Sequence, residues 1–103
     1  MKSKIIYIAG AITGTDDAGE RFAKAETDLK ADAKVRDIPL EIINPYEVNY
    51  TLGFLPHDEI MKICFMLIDQ ADVIHFLKGW ESSRGANQEL GYATAKRKTI
   101  TFE

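Results

Sequence analysis

The sequence predicts an α/β fold: a three-layer, doubly wound parallel sheet of about four strands in a single domain. Three observations predict it. Short β-branched and aromatic runs recur along the chain, and the first, second and third of them end in loops that carry glycine or proline. Helical periodicity fills the intervals between runs. The order is β-α-β-α-β-α-β, which favours parallel pairing, right-handed crossovers and helices on both faces. This is a flavodoxin- or Rossmann-like arrangement.

Lys4-Ile5-Ile6-Tyr7-Ile8-Ala9 is the first strand, closed by Gly10. A continuous apolar run fits a strand covered on both faces. Residues 10–17 form a loop. From Ala18 the pattern is helical, with Ala18, Phe22, Ala25, Leu29 and Ala33 on one stripe. Asp16 or Asp17 is placed to cap that helix. Residues 38–43 form the second strand, ended by Asn44-Pro45 because a residue before proline prefers extended geometry. Residues 46–56 show no period and read as a mobile loop. His57 to Ala71 form the second helix. Its stripe is Ile60, Ile63, Cys64, Leu67 and Ala71, and Met61, Phe65 and Ile68 widen the apolar arc to roughly 200°. So wide an arc calls for a second cover, and a homodimer partner is the simplest one. Residues 73–77 are the third strand, 78–85 a loop, 86–97 the third helix and 99–102 the last strand.

Composition narrows the function. One domain, residues 1–103, accounts for the length. With 46% hydrophobic and 28% charged residues the chain is globular. A net charge of −3 argues against a nucleic-acid partner. A single cysteine excludes a disulfide framework and a four-cysteine zinc site. His57 and His75 lack metal-ligand company and read as structural, so no metal or other cofactor is expected. No apolar run reaches 18 residues and no signal-peptide pattern opens the chain, which points to a cytoplasmic protein without membrane contact.

In open α/β sheets the ligand lies beyond the carboxyl ends of the strands. Three loops leave such ends, at residues 10–17, 44–56 and 78–85. Gly10 and Gly14 match neither a dinucleotide fingerprint nor a P-loop. They read either as a tight turn under the first helix or as backbone N–H groups approaching a ligand. Ser82, Ser83 and Gly85 open a helix, where hydroxyls and free N–H groups suit an anion and Arg84 adds a cation. The same residues also make an ordinary serine cap with a solvated arginine. Glu89 lies about 60° from Ala86 on the helical wheel, bordering the stripe that faces the sheet. The helix N-terminus and Arg84 are expected to keep it ionised, which suits a nucleophile. The alternative is a boundary glutamate reaching water. Cys64 reads as an inert buried thiol, Asp72 as structural, and Trp80 as an aromatic at the site mouth.

These residues carry a resemblance. The segments Tyr7-Ile8-Ala9-Gly10-Ala11-Ile12-Thr13-Gly14, Ala71-Asp72, Gly79-Trp80-Glu81-Ser82-Ser83-Arg84-Gly85-Ala86 and Glu89-Leu90-Gly91-Tyr92-Ala93 follow one another as in the nucleoside 2-deoxyribosyltransferase superfamily. The chain most resembles a short phage and bacterial branch of it, and the likeness spans nearly the whole sequence. The resemblance implies an enzyme acting on the N-glycosidic bond of a nucleoside or nucleotide, by deoxyribosyl transfer or hydrolysis, without a cofactor. Glu89 matches the nucleophile. Ser83 and Gly85 match residues that hold a 5′-phosphate. The loop from Gly10 to Gly14, with Ile12 and Thr13, matches the wall around base and sugar; Gly10, Ile12 and Trp80 are expected to frame the base, and Tyr7 is a further substrate-binding candidate. Homodimers or larger assemblies are implied. The pattern is broken where Ala11 replaces a proline, Thr13 an arginine, and Cys64 an aspartate eight residues before Asp72. Cys64 keeps a second reading open: a non-catalytic protein that senses or sequesters a nucleotide.

Overall fold

The computed structural model describes residues 2–103. Its elements are β1 (Lys4–Ala9), α1 (Ala18–Val35), β2 (Leu40–Ile43), α2 (Tyr46–Thr51), α3 (His57–Asp69), β3 (Val73–Phe76), a 3₁₀ turn (Trp80–Ser82), α4 (Arg84–Ala95) and β4 (Thr99–Phe102). The four strands form one parallel sheet in the order β2-β1-β3-β4. Ile6 of β1 lies opposite Ile42 of β2 on one side and Val73 of β3 on the other.

Alternation along β1 builds two cores. Tyr7 and Ala9 point to one face and join Cys64, Ile68, Ala86 and Ala93 from α3 and α4. Ile8 points to the other face and joins Ala18, Phe22 and Ala25 from α1. Both faces of the carboxyl half of β1 are therefore dry, which is why its sequence is apolar from Ile5 to Ala9. Gly10 continues this packing: a Cβ there would lie 3.3 Å from both Leu77 and Phe22.

Several boundaries differ from the sequence expectation. The segment after Pro45 is a helix, α2, rather than a loop. It carries no apolar stripe of its own. It is set by Asn44, whose Oδ1 accepts from the Tyr46 N–H at 3.1 Å, and by Tyr46, whose ring lies between Phe22 and Tyr50. β2 begins at Leu40, α3 ends at Asp69, and α4 begins at Arg84 because Ser83 takes the cap position. Asp17 does not cap α1 with its side chain. Its carboxylate holds Arg21 Nε at 3.0 Å, and the same guanidinium donates to the Ala11 carbonyl at 2.7 Å. Arg21 thus ties the loop after β1 to the start of α1.

The wide apolar arc of α3 is mostly covered within the chain. Phe65 stacks on Tyr92 of α4 with ring centroids 4.3 Å apart, and Met61 and Ile68 are buried. Met66 remains exposed. No helix among the described residues is long and apolar enough to cross a membrane.

Candidate functional site

A cavity of about 370 Å³ opens beyond the carboxyl end of β1. This is the switch point of the sheet, because the chain leaves β1 toward β2 on one side and continues to β3 on the other. Its size is near the lower end of the range for small-molecule sites. Tyr7, Gly10, Ile12 and Thr13 line it from β1 and the following loop, and Phe22 from α1. Pro45 and Asn49 close one side, His57, Met61 and Cys64 of α3 another, and residues 82–86 with Glu89 the last.

Glu89 is the one buried charged-type side chain among the described residues, only 6% exposed. It shares the buried stripe of α4 with Ala86 and Ala93, at spacings of three and seven. The Tyr7 hydroxyl donates to Glu89 Oε2. Oε1 has no hydrogen-bond partner among the described residues and is not sealed from the cavity. The carboxyl therefore has one oxygen fixed and one free. Burial pushes its pKa up to about 7, against the opposing pull of the Tyr7 hydrogen bond.

This corrects the expectation that Arg84 and the helix terminus keep Glu89 ionised. The Arg84 guanidinium turns outward, 72% exposed and 4.0 Å from Asp58. Glu89 sits in the second turn of α4, beyond the reach of most of the terminal charge. Desolvation wins.

Tyr7 is also more than a wall residue. Its ring is fully buried, and desolvation followed by the Glu89 charge holds its hydroxyl well above the ordinary tyrosine range. The phenol stays protonated and donates to the carboxylate. Cys64 lies beside this pair, and burial pushes its thiol upward as well.

Gly10, Ile12, Thr13, Ser83 and Gly85 share the cavity wall with Glu89 and Tyr7. Ser83 Oγ accepts from the Ala86 N–H at 3.1 Å, the ordinary cap, which leaves its own proton free to donate. Trp80 is not among the lining residues. It packs on Phe76 and Phe102, with ring centroids 5.4 and 5.7 Å away, in a separate hollow by β4. The left-handed turn at Gly79 (φ 87°) leads the chain into that position.

Asn49, His57, Met61, Phe22 and Pro45 are lining residues that sequence reasoning missed. His57, Met61 and Cys64 recur at spacings of four and seven, a signal that one face of α3 looks into the site. His57, expected to be structural, does bridge α3 to α4, its Nε2 lying 2.7 Å from Gln88 Oε1, yet it also reaches the cavity. Asp58 and Asp69 lie elsewhere: Asp58 faces Arg84, and Asp69 accepts from the Tyr92 hydroxyl at 2.7 Å. Asp72 accepts from the Ile5 N–H at 2.9 Å and His75 bonds Thr101 at 2.8 Å, both in structural roles. Glu89 is the single carboxylate among the lining residues. Among the described residues, no three His, Cys, Asp or Glu side chains converge on a metal position.

The site is therefore one small cavity with a graded lining. Apolar groups (Gly10, Ile12, Phe22, Pro45) lie toward α1, hydrogen-bonding groups (His57, Ser82, Ser83, Arg84) toward the start of α4, and one desolvated carboxyl is set in its wall. No curated protein and no solved structure matches the chain. Residues 4–102, which hold every strand, every helix and the whole cavity lining, match the family model described as "Domain of unknown function (DUF4406)", and the chain belongs to that family.

Proposed function

We propose that the protein is an enzyme of the N-glycosidic bond, cleaving or transferring the 2-deoxyribosyl group of a nucleoside or nucleoside 5′-monophosphate. The observation that carries this reading is the Glu89 carboxyl, buried in the wall of a nucleoside-sized cavity with Oε2 held by Tyr7 and Oε1 free. A fixed, poorly hydrated carboxylate suits attack on an oxocarbenium-like carbon, as in retaining glycosidases.

In this mechanism Glu89 Oε1 attacks C1′ of the sugar. The C1′–N bond breaks and its electron pair leaves with the base, which takes a proton from water. The resulting ester is resolved by water, releasing the sugar, or by a second base, completing transfer. Either route restores the carboxylate. Tyr7 orients the attacking group and lowers the cost of its charge. The flat, apolar side of the lining suits a base, and Ser83, Gly85 and His57 suit the hydroxyl or phosphate at the other end of the sugar. The resemblance to the nucleoside 2-deoxyribosyltransferase superfamily, strongest from Ser83 to Ala93, supports the same assignment.

A second reading, a nucleotide-binding protein without turnover, is favoured by one observation. Cys64 stands where that superfamily carries an aspartate, and no other carboxylate lines the cavity. Proton transfer by such a group is worth about 10²–10⁴ in rate. We further propose homodimeric assembly, supported by the exposed apolar side chains Tyr50, Phe54 and Met66, and a reducing cytoplasmic setting, supported by the unpaired Cys64.

The deciding experiment incubates the protein with 2′-deoxynucleosides and their 5′-monophosphates and follows free base by chromatography. Release that is lost in Glu89→Ala supports the enzyme. Binding without release supports the second reading. Neither binding nor release overturns both.

A further inference from the structure

The loop after β1 carries three of the cavity's lining residues, Gly10, Ile12 and Thr13. It has little structure of its own. The strand ends at Ala9, and residues 13–17 are exposed. One turn shapes the loop. The Thr15 N–H donates to the Ile12 carbonyl at 3.2 Å across a left-handed Gly14 (φ 80°), and the Thr15 hydroxyl donates to the same carbonyl at 2.7 Å.

A single guanidinium holds that turn from outside the cavity. Arg21 Nη2 donates to the Ala11 carbonyl at 2.7 Å, just before the turn, and to the Thr15 hydroxyl at 3.4 Å, at its far end. Its Nε donates to Asp17 at 3.0 Å, so Asp17, at the cap position of α1, gives its carboxylate to Arg21 and not to the helix N–H groups. The Ala11 carbonyl has no other partner among the described residues, and Ala11 is buried. A planar fork of fixed donors can serve these three acceptors together, which an ammonium on a flexible stem cannot. Arg21 is itself well anchored. It stands in the first turn of α1 beside the fully buried Phe22, and its side chain is 28% exposed. It is not among the lining residues.

We propose that Arg21 is a positioning residue of the site: its guanidinium brackets the Ile12–Thr15 turn and presets the wall on which the base and sugar lie. The inference rests on the nucleoside reading above and adds to it a residue outside the cavity that governs affinity. Without the bracket the turn samples other conformations. The dissociation constant then rises by the inverse of the fraction that stays competent. Ile12 packs with the core on the α1 side, whereas Tyr7 belongs to the core on the opposite face of β1. The carboxyl–phenol pair therefore keeps its geometry, and a substrate once bound reacts as before.

The test uses Arg21→Met, which keeps an unbranched stem and removes the guanidinium. Dissociation constants by calorimetry are measured for 2′-deoxynucleosides and their 5′-monophosphates, with KM and kcat where base is released. Hydrogen exchange is followed in the ligand-free protein. Binding is expected to weaken at least about five-fold, with KM rising in step and kcat within about three-fold of wild type. Exchange is expected to quicken over residues 11–15 and to stay unchanged in α4. A purely stabilising ion pair would instead lower resistance to urea and leave both affinity and loop exchange as they are. A smaller loss of affinity, a loss confined to kcat, or exchange that rises equally in the loop and in α4 overturns the inference and leaves the nucleoside reading intact. Should Arg21→Met not fold, Thr15→Val decides in its place. It removes, at an exposed position, the hydroxyl that links Arg21 to the Ile12 carbonyl, and unchanged affinity there overturns the inference. If the wild type binds no nucleoside or nucleotide, the nucleoside reading fails and the role of Arg21 in its site fails with it.

Discussion

The Tyr7 hydroxyl donates to the Glu89 carboxylate across 82 residues of sequence, joining the middle of the first strand to the second turn of the last helix. The bond holds one oxygen of a buried acid and turns the other to the cavity. The first two predictions rest on it.

Tyr7→Phe removes the only side-chain hydrogen bond that Glu89 makes among the described residues and leaves the ring packing in place. Without that donor the Glu89 pKa rises above its value of about 7. Base release at neutral pH is expected to fall about 10- to 100-fold, the worth of a hydrogen bond to a charged group. The rising limb of the pH profile is expected to move to higher pH. A profile that keeps its midpoint in Tyr7→Phe would disconnect the tyrosine from the acid.

Glu89 also makes stability depend on pH, in the direction opposite to an ordinary salt-bridged acid. Its pKa is 4.5 in a solvated chain and about 7 in the fold. Between those values the folded state binds more protons than the unfolded one, so stability falls as pH rises through the window. The full difference is about 3 kcal/mol. Urea unfolding from pH 4 to pH 8 measures it. Glu89→Gln is expected to flatten the curve and to exceed wild-type stability at pH 8, at the expense of the proposed nucleophile.

Cys64 is 2% exposed and its thiol is pushed upward by burial, so little thiolate forms at neutral pH. Alkylation by iodoacetamide is expected to be at least about ten-fold slower than for a free thiol. A bound nucleoside should slow it further, because Cys64 lines the cavity. Labelling that is fast and indifferent to ligand would place the thiol elsewhere.

Phe22 is fully buried, belongs to the core between α1 and the sheet, and also lines the cavity. Phe22→Ala is expected to cost about 3–5 kcal/mol. It also removes the support under Tyr46, whose ring centroid lies 6.3 Å away, so hydrogen exchange should rise in α2 more than in α4. Equal protection loss in both helices would argue against that coupling.

The sheet was legible because the carboxyl half of β1 is covered on both faces and β3 buries Val73, Ile74 and Phe76, and such cover demands mostly apolar runs. Parallel pairing and the cavity's place at the strand ends follow from the alternation of elements. α2 was not legible. Its geometry comes from Asn44, Pro45 and the seat of Tyr46 on Phe22, and such tertiary support leaves no periodic trace in six residues. Glu89 was legible as a candidate but not in its charge state. A wheel gives direction along one helix, not the loss of water caused by Tyr7 and Cys64 from other elements. Trp80 and the charge of Arg84 were misjudged for a related reason: nearness in sequence does not say which way a side chain turns, and Trp80 packs in a separate hollow while the Arg84 guanidinium, at the cavity rim, faces Asp58 rather than Glu89.

The short helix α2 contributes a side of the cavity yet contains no fully buried residue. The carboxyl–phenol pair, by contrast, is embedded in the packing of the sheet. The two sides of the cavity thus differ in how much of the core they carry. The α2 side of the wall can therefore vary at its exposed positions with less cost to the core than the side built from β1 and α4.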